Sequence, residues 1–394
     1  MLMFFSFLCI CQISSSFLNS PSSLCVPHTS SSRISKECKI GTLFAGGGFG
    51  GGGGGGSQSK SKRKGKKGKN VSSSSSPSSS GLSTKKKLQM KERLLKSYGG
   101  DIARGTTERI QKSMSELPPH IQEIIPLYQK VKRWDASMAS LSVSQQLQVP
   151  ERDIEGAKRG RAELESFYEQ YDIDAQYMHN IFQKNTWDAS ADAKAVKASI
   201  GTMPAHILER VDKACGIIAD SVKRSGRKEG RCLDVGCGHG TLIPNLTKAG
   251  VYANQITGID LSPEMIRNAK ERYRGPNFQA IDFLQFDAKD DEYDGIIFCS
   301  ALHDLPDMKS SLSKASSLLR PEGKIVIVHA QGGGHVISQV KANPVLVNRG
   351  LPDKDELKQW AEEMMLDLEI SPVDALTKED EEEGYLAVLK KKTL

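Results

Sequence analysis

The stretch "LDVGCGHG", residues 233–240, places three glycines in five positions directly behind a short apolar run. Glycine weakens both strands and helices, so such a cluster marks a bend that another group approaches closely. The spacing limits what that group is. A dinucleotide fingerprint needs G-x-G-x-x-G, and here the third glycine comes one place early. A phosphate loop needs Lys after its last glycine, and Thr241 stands there instead. What remains is D-x-G-x-G-x-G: Asp234, Gly236, Gly238 and Gly240, with Cys237 between the first two glycines.

Strand and helix patterns alternate from this point onward. "RCLDV", "QITGID", "NFQAIDF", "YDGIIFCSA" and "GKIVIVHA" read as five strands, and "LDLEIS" and "GYLAVLK" as two closing ones. Helical patterns separate them. One helix is stopped by Gly250, and another opens on Ser262 as cap with Pro263 in its first turn. The order predicts an α/β fold with a doubly wound, seven-stranded, mostly parallel sheet covered on both faces.

Two further acids fall at predicted strand ends. Asp260 closes the second strand, twenty residues past Gly240, and Asp282 closes the third. A carboxylate at Asp260 can accept both hydroxyls of a ribose. Each acid alone reads equally well as a turn or helix cap.

Together these residues resemble the cofactor motifs of class I S-adenosylmethionine-dependent methyltransferases. "CSALHDLPD" and "LLRPEGKIVIV" resemble the small-molecule branch typified by ubiquinone and menaquinone methyltransferases. The resemblance covers about residues 205–394 and is strongest over 231–330. It implies a methyltransferase fold with S-adenosyl-L-methionine as cofactor. It implies that Asp234, Gly236, Cys237, Gly238 and Gly240 line the methionine and ribose portions, and that Asp260 holds the ribose. Leu261 and Phe283 would sandwich the adenine, Asp282 would face its amine, and Ser300, after strand four, would also bind the cofactor.

Methyl transfer from a sulfonium needs alignment more than charge stabilisation, and a base only where the acceptor carries a proton. Three histidines fall at strand ends or in the glycine loop: His303, His329 and His239. His303, after strand four, is the first candidate base; a histidine there equally well orients a loop. No metal-ligand spacing is present: Cys215, Cys232, Cys237 and Cys299 include no C-x-x-C pair. Strand four lacks the D/N-P-P-[YF] of amino-methylating nucleic-acid enzymes and the Pro-Cys of cytosine C5 enzymes. The expected acceptor is a small organic molecule. RNA or protein acceptors, or an inactive cofactor-binding protein, are the alternatives. Nothing in the pattern sets the oligomeric state.

Charge divides the chain. Residues 1–100 hold 16 Lys/Arg and two acids, whereas the other 294 residues hold 38 Lys/Arg against 45 Asp/Glu. The acidic body offers no global field for nucleic acid. The leader opens "MLMFFSFLCICQI", too short to span a bilayer and signal-like, though without a basic start. A Ser-rich, acid-poor tract follows, then "GGGFGGGGGGG" ending at Gly56, a Lys/Arg block from Lys60 to Lys69, and a Ser run. Such tracts bury little and read as targeting sequence and disordered linker. The combination resembles bipartite plastid leaders; mitochondrial import and secretion are the competing destinations. The expected organisation is a leader and linker over 1–87, a helical extension over 88–204, and the methyltransferase domain over 205–394.

The extension spaces Ile121, Ile124, Ile125 and Tyr128 on one helical face, and Leu164, Phe167, Tyr168 and Tyr171 on another. Pro150 marks a break between them. Past strand five, residues 331–352 carry three consecutive glycines, 332–334, followed by an apolar run. They read either as a hinged lid over the acceptor or as a helix linking two strands.

Overall fold

The computed structural model describes residues 105–200, 203–224 and 230–393, without side-chain detail over 196–200. The described residues belong to one compact unit, and the leader and linker expectations fall on residues outside the described ones. Among the described residues no helix is long and apolar enough to cross a membrane.

The sheet has seven strands. They are β1 (Cys232–Val235), β2 (Ile256–Asp260), β3 (Asn277–Ala280), β4 (Tyr293–Cys299), β5 (Leu319–His329), β6 (Leu366–Ile370) and β7 (Tyr385–Lys391), in spatial order β3-β2-β1-β4-β5-β7-β6. The first five are parallel, and β7 runs antiparallel between β5 and β6. Central strands buried on both faces need continuous apolar runs, and Ile296, Ile297 and Phe298 of β4 are fully buried. β5 begins earlier than its apolar run. Leu319 pairs with Tyr293, and the register resumes only at Lys324 with Gly295, so "RPEG" bulges out with Glu322 at φ 65°. β3 ends early, because Asp282 caps a short turn by accepting from Leu284 N–H.

The cap signals behave as the sequence predicts. Helix α5 (Ile243–Ala249) stops at Gly250 (φ 104°), and α6 (Pro263–Arg272) starts with Ser262 Oγ accepting from Met265 N–H. Helix α4 (Ala205–Arg224) packs with α5 and α6 on one sheet face, burying Ile207, Val211, Cys215 and Ile218. Helices α7 (Met308–Leu318) and α9 (Lys354–Glu363) cover the other.

A third core lies outside these layers. It joins α1 (Pro119–Ala139), α2 (Glu151–Tyr171) and α3 (Ala175–Ile200) through Ile121, Tyr128, Leu164 and Phe182. These residues pack against Val336 of α8 (Gly333–Ala342) and against Val345, Leu346 and Val347 after it. Ile121, Ile124 and Tyr128 are buried as their spacing predicts, Phe167 and Tyr168 are partly buried, and Tyr171 is exposed.

Residues 332–334 are not a free hinge. Gly332 turns at φ 88°, and the N–H groups of Gly333 and Gly334 open α8 by donating to the two carboxylate oxygens of buried Asp380 at 2.6 and 2.9 Å. A Cβ on Gly332 would lie 2.5 Å from that carboxylate. The glycines let an anion sit on a helix N-terminus, a favourable charge–dipole pairing that pins the segment.

Candidate functional site

The order β3-β2-β1-β4 puts the topological switch between β1 and β4, and the loops after these strands meet there. The three glycines play different parts. Gly236 (φ 71°) is approached by Ala301, whose Cβ would lie 2.5 Å from an added Cβ. Gly240 (φ 80°) is approached by the Tyr273 ring, which would lie 2.8 Å from an added Cβ. Only Gly238 (φ 54°) would meet nothing within 4 Å. The close approach at Gly236 and Gly240 is therefore made by the protein itself, and Gly238 alone faces open space.

The loop's donors are mostly committed. Gly236 and Cys237 N–H both donate to Ile259 O at 2.8 and 3.0 Å, tying the loop to β2. Cys237 is buried in the core beneath, where burial raises its thiol pKa well above the ordinary value, so its side chain belongs to packing. Gly238 N–H donates to Asp260 Oδ2 at 2.9 Å, and Ser262 N–H to Asp260 Oδ1 at 2.8 Å. A carboxylate has about four lone-pair positions. The two backbone donors leave acceptor positions on Asp260 unused.

Asp234 lies one strand away, buried, with Oδ2 lacking a hydrogen-bond partner among the described residues. Burial, then the Asp260 carboxylate, pushes its carboxyl up to about 7. Burial pushes Asp260 up to about 6, opposed by its two backbone donors and by Lys194. Two carboxyls with raised pKa values and one orphaned oxygen suit a ligand that brings a cation and hydroxyl donors. S-adenosylmethionine, with its ammonium, its sulfonium and a ribose diol, fits this donor set.

The adenine end differs from expectation. Asp282 Oδ1 caps Leu284 N–H, and Oδ2 accepts from Gln176 Nε2 at 3.0 Å and Asn180 Nδ2 at 2.8 Å. It anchors α3 rather than offering an open carboxylate. Phe283 is 3% exposed and packs edge-on against Phe298, ring centroids 5.7 Å apart, so its ring is part of the core. Leu261 stays half-buried beside Asp260. Ser300 is exposed at the end of β4 in the left-handed region (φ 51°), uncommon for a residue other than glycine and a form of strain that clusters at functional sites.

The histidines also gather at strand ends. The His303 and His329 rings lie 5.2 Å apart, and His335, on α8, stacks on His329 at 5.5 Å. Burial lowers the pKa of all three. His239 is pushed down to about 4 by burial, then by Arg272 and Lys194. All four imidazoles are neutral near pH 7. Among the described residues no group of three His, Cys, Asp or Glu side chains is arranged to hold a metal ion.

Helix α3 is the element that residue patterns missed. Beyond Asp282, its His179 Nε2 meets Asp304 O at 2.9 Å, and its Gln183 Nε2 donates to Leu346 O at 2.6 Å. Asp188 accepts from Ser262 Oγ, and Asp192 pairs with Arg267 at 3.1 Å. Lys194, its Nζ 3.7 Å from the Trp187 ring centroid, reaches Asp260, His239 and His303 electrostatically. One helix thus straps the carboxyl ends of β2, β3 and β4. The polar positions 176, 180, 188 and 192, four or eight apart, are the signal that marks this face. A shallow cleft of about 550 Å³ between Phe286 and Ser317 lies apart from this site, and it contains none of these groups.

Residues 227–372 match the family model described as a methyltransferase domain. The chain is similar to the 2-phytyl-1,4-naphtoquinone methyltransferase of Nostoc sp., 30% identical over 115 residues, covering 27% of this chain and 50% of that protein. It is also similar to the demethylmenaquinone methyltransferase of Staphylococcus saprophyticus, 26% identical, covering 34% of this chain and 64% of that protein. The chain thus spans half to under two thirds of the length of these relatives. Among solved structures, the plantazolicin methyltransferase in complex with SAH aligns at TM-score 0.40 and 16% identity, covering 55% of this chain and 96% of that one.

Proposed function

We propose, from the premise that residues 227–372 are a methyltransferase domain of the class I type, that the protein transfers a methyl group from S-adenosyl-L-methionine to a small organic acceptor. The observation that carries this reading is the paired carboxyls beside an open glycine: Asp234 with its orphaned oxygen, Asp260 with acceptor positions left, and Gly238 facing free space. Asp234 would hold the ammonium, and Asp260 the ribose hydroxyls. When bound, the cofactor supplies a methyl group on a cationic sulfur. The protein's part is alignment and exclusion of water, since charge disperses as the methyl moves. Helix α3 covers the strand ends and keeps water out. His303 and His329, buried at the ends of β4 and β5 with lowered pKa values, would receive an acceptor's proton.

The acceptor is proposed to be a small molecule rather than RNA, in keeping with the acidic body. The leader is proposed to direct the chain to a plastid. Isothermal titration tests the cofactor assignment. S-adenosylhomocysteine is expected to bind the wild type, and Gly238→Ala, which puts a methyl group into the open space with some strain at φ 54°, is expected to weaken binding at least tenfold, with melting of the variant measured beside it. Tighter binding of NAD, or unchanged affinity in the folded variant, overturns it.

A further inference from the structure

We infer that the acceptor is a compact, multiply hydroxylated molecule without a long hydrocarbon tail, methylated on oxygen; this rests on the methyltransferase reading above. The argument is a set of polar atoms that the fold buries and leaves without hydrogen-bond partners among the described residues. They are His303 Nδ1, His329 Nδ1, Gln339 Oε1, Asn343 Nδ2 and Asn348 Oδ1. The first four belong to side chains at least nine-tenths buried: His303 at 3% exposure, His329 at 1%, Gln339 at 6% and Asn343 at 7%. Native proteins pair nearly all such groups, and each orphan is costly.

The orphans share one region. His303 and His329 close β4 and β5 with rings 5.2 Å apart, and His335 stacks on His329. Residues 335 and 339 lie four apart along one edge of α8, Asn343 follows just past its end, and Val336 on the adjoining edge packs into the third core. Asn343 O then accepts from Leu346 and Val347 N–H, turning the chain back. Asn348 Nδ2 meets His179 Nδ1 at 3.3 Å, and His179 Nε2 meets Asp304 O beside His303. His303, His329 and His335 thus meet at the carboxyl ends of β4 and β5, Asn348 is joined to them through His179 and Asp304, and Gln339 and Asn343 follow His335 in the chain that leads back to Asn348.

The inventory defines the ligand. Two carbonyl oxygens, Gln339 and Asn348, accept; one amide, Asn343, donates; each neutral imidazole nitrogen does either. A hydrocarbon tail pressed on these atoms would leave all of them unpaired. An acceptor with several hydroxyl or carbonyl groups pairs with those it reaches. In the transfer, the S–CH₃ bond breaks and an O–CH₃ bond forms. Sulfur keeps the bonding pair, and the hydroxyl proton passes to the imidazole nitrogen of His303 or His329.

Two readouts on the full chain test this. The first is melting of the unliganded protein. Gln339→Met and Asn343→Leu replace orphaned polar groups by apolar ones, and each is expected to raise Tm by about 2–4 °C. The second is labelled-methyl transfer to catechol and 3,4-dihydroxybenzoate against a phytyl-tailed naphthoquinol in micelles. The hydroxylated aromatics are expected to show the higher kcat/KM, falling at least tenfold in both variants while S-adenosylhomocysteine affinity stays within twofold. A fall or no change in Tm in both variants overturns the inference, because the groups are then satisfied within the fold. Preference for the tailed quinol overturns it too. Where none of the three acceptors turns over, the melting result decides. Failure of the wild type to bind S-adenosylhomocysteine defeats the methyltransferase reading instead, a result distinct from either.

Discussion

Cofactor affinity is expected to fall steeply as pH drops, because the two carboxyls proposed to face the ligand ionise unusually late. Asp234 titrates near 7 and Asp260 near 6 in the free protein, both raised chiefly by burial. They interact, so the pair is treated as two apparent steps. A bound cation favours both carboxylates and moves their titration below the range tested. Affinity then follows the fraction of protein with both groups ionised. Between pH 8 and pH 5.5 that fraction falls ~30-fold through the Asp234 step and ~4-fold through the Asp260 step, on the order of 100-fold together or about 2.7 kcal/mol. Burial lowers the pKa values of the nearby histidines, so Asp234 is the first of these groups to take up a proton as pH drops. Without ligand the same shifts act on stability with opposite sense. A carboxyl whose folded pKa is raised contributes stability below its unfolded value near 4, and this is lost as pH rises through 6 to 7. The ligand-induced rise in Tm is therefore larger at pH 8 than at pH 5.5. Titration of S-adenosylhomocysteine at four pH values measures the slope. Asp234→Asn is expected to bind more weakly at pH 8 and to retain only the ~4-fold dependence of Asp260. Affinity independent of pH in the wild type would refute the reasoning, as would an unchanged slope in Asp234→Asn.

Three other outcomes follow from particular contacts. Gly236→Ala combines a positive φ with a Cβ 2.5 Å from that of Ala301; roughly 2–5 kcal/mol of lost stability is expected, read by denaturant unfolding. Asp380→Ala removes the carboxylate that accepts from Gly333 and Gly334; a loss of roughly 3 kcal/mol and faster hydrogen exchange across 333–342 are expected, with cofactor affinity within twofold. A fluorescent protein fused to residues 1–85 is expected to enter plastids in algal cells, and a chain starting at Lys86 to melt within about 1 °C of the full one; cytosolic fluorescence or a large drop in Tm contradicts these.

What the sequence makes legible is local. The strand–helix alternation, the Ser262 cap, the Gly250 stop and the apposition of Gly238 with Asp260 depend on residues close in the chain or on a short repeating unit. Long-range packing is not legible in this way. Asp282 reads as an open strand-end acid, yet Gln176 and Asn180, more than 100 positions earlier, hold it. The run 332–334 reads as a hinge until Asp380, 46 or more positions later, supplies the anion that fixes it. Gly236 and Gly240 look like ligand contacts because a glycine records only that something comes close; Ala301 and Tyr273 are what comes. Phe283 and Cys237 show the same ambiguity, since side chains at the end of a strand serve either the pocket or the core beneath it, and both of these serve the core.

The central claim is tested most directly by incubating the full chain with S-adenosylmethionine carrying a labelled methyl group. A small-metabolite extract, an RNA fraction and a protein fraction are offered separately, with Asp260→Ala run beside the wild type. Removing Asp260 takes away charged hydrogen bonds worth roughly 1.5–3 kcal/mol each, so transfer at low cofactor concentration is expected to drop at least tenfold. The account predicts label in the small-metabolite fraction with the wild type and little with the variant. Label in the RNA or protein fraction, equal transfer by the variant, or no transfer to any fraction would contradict it.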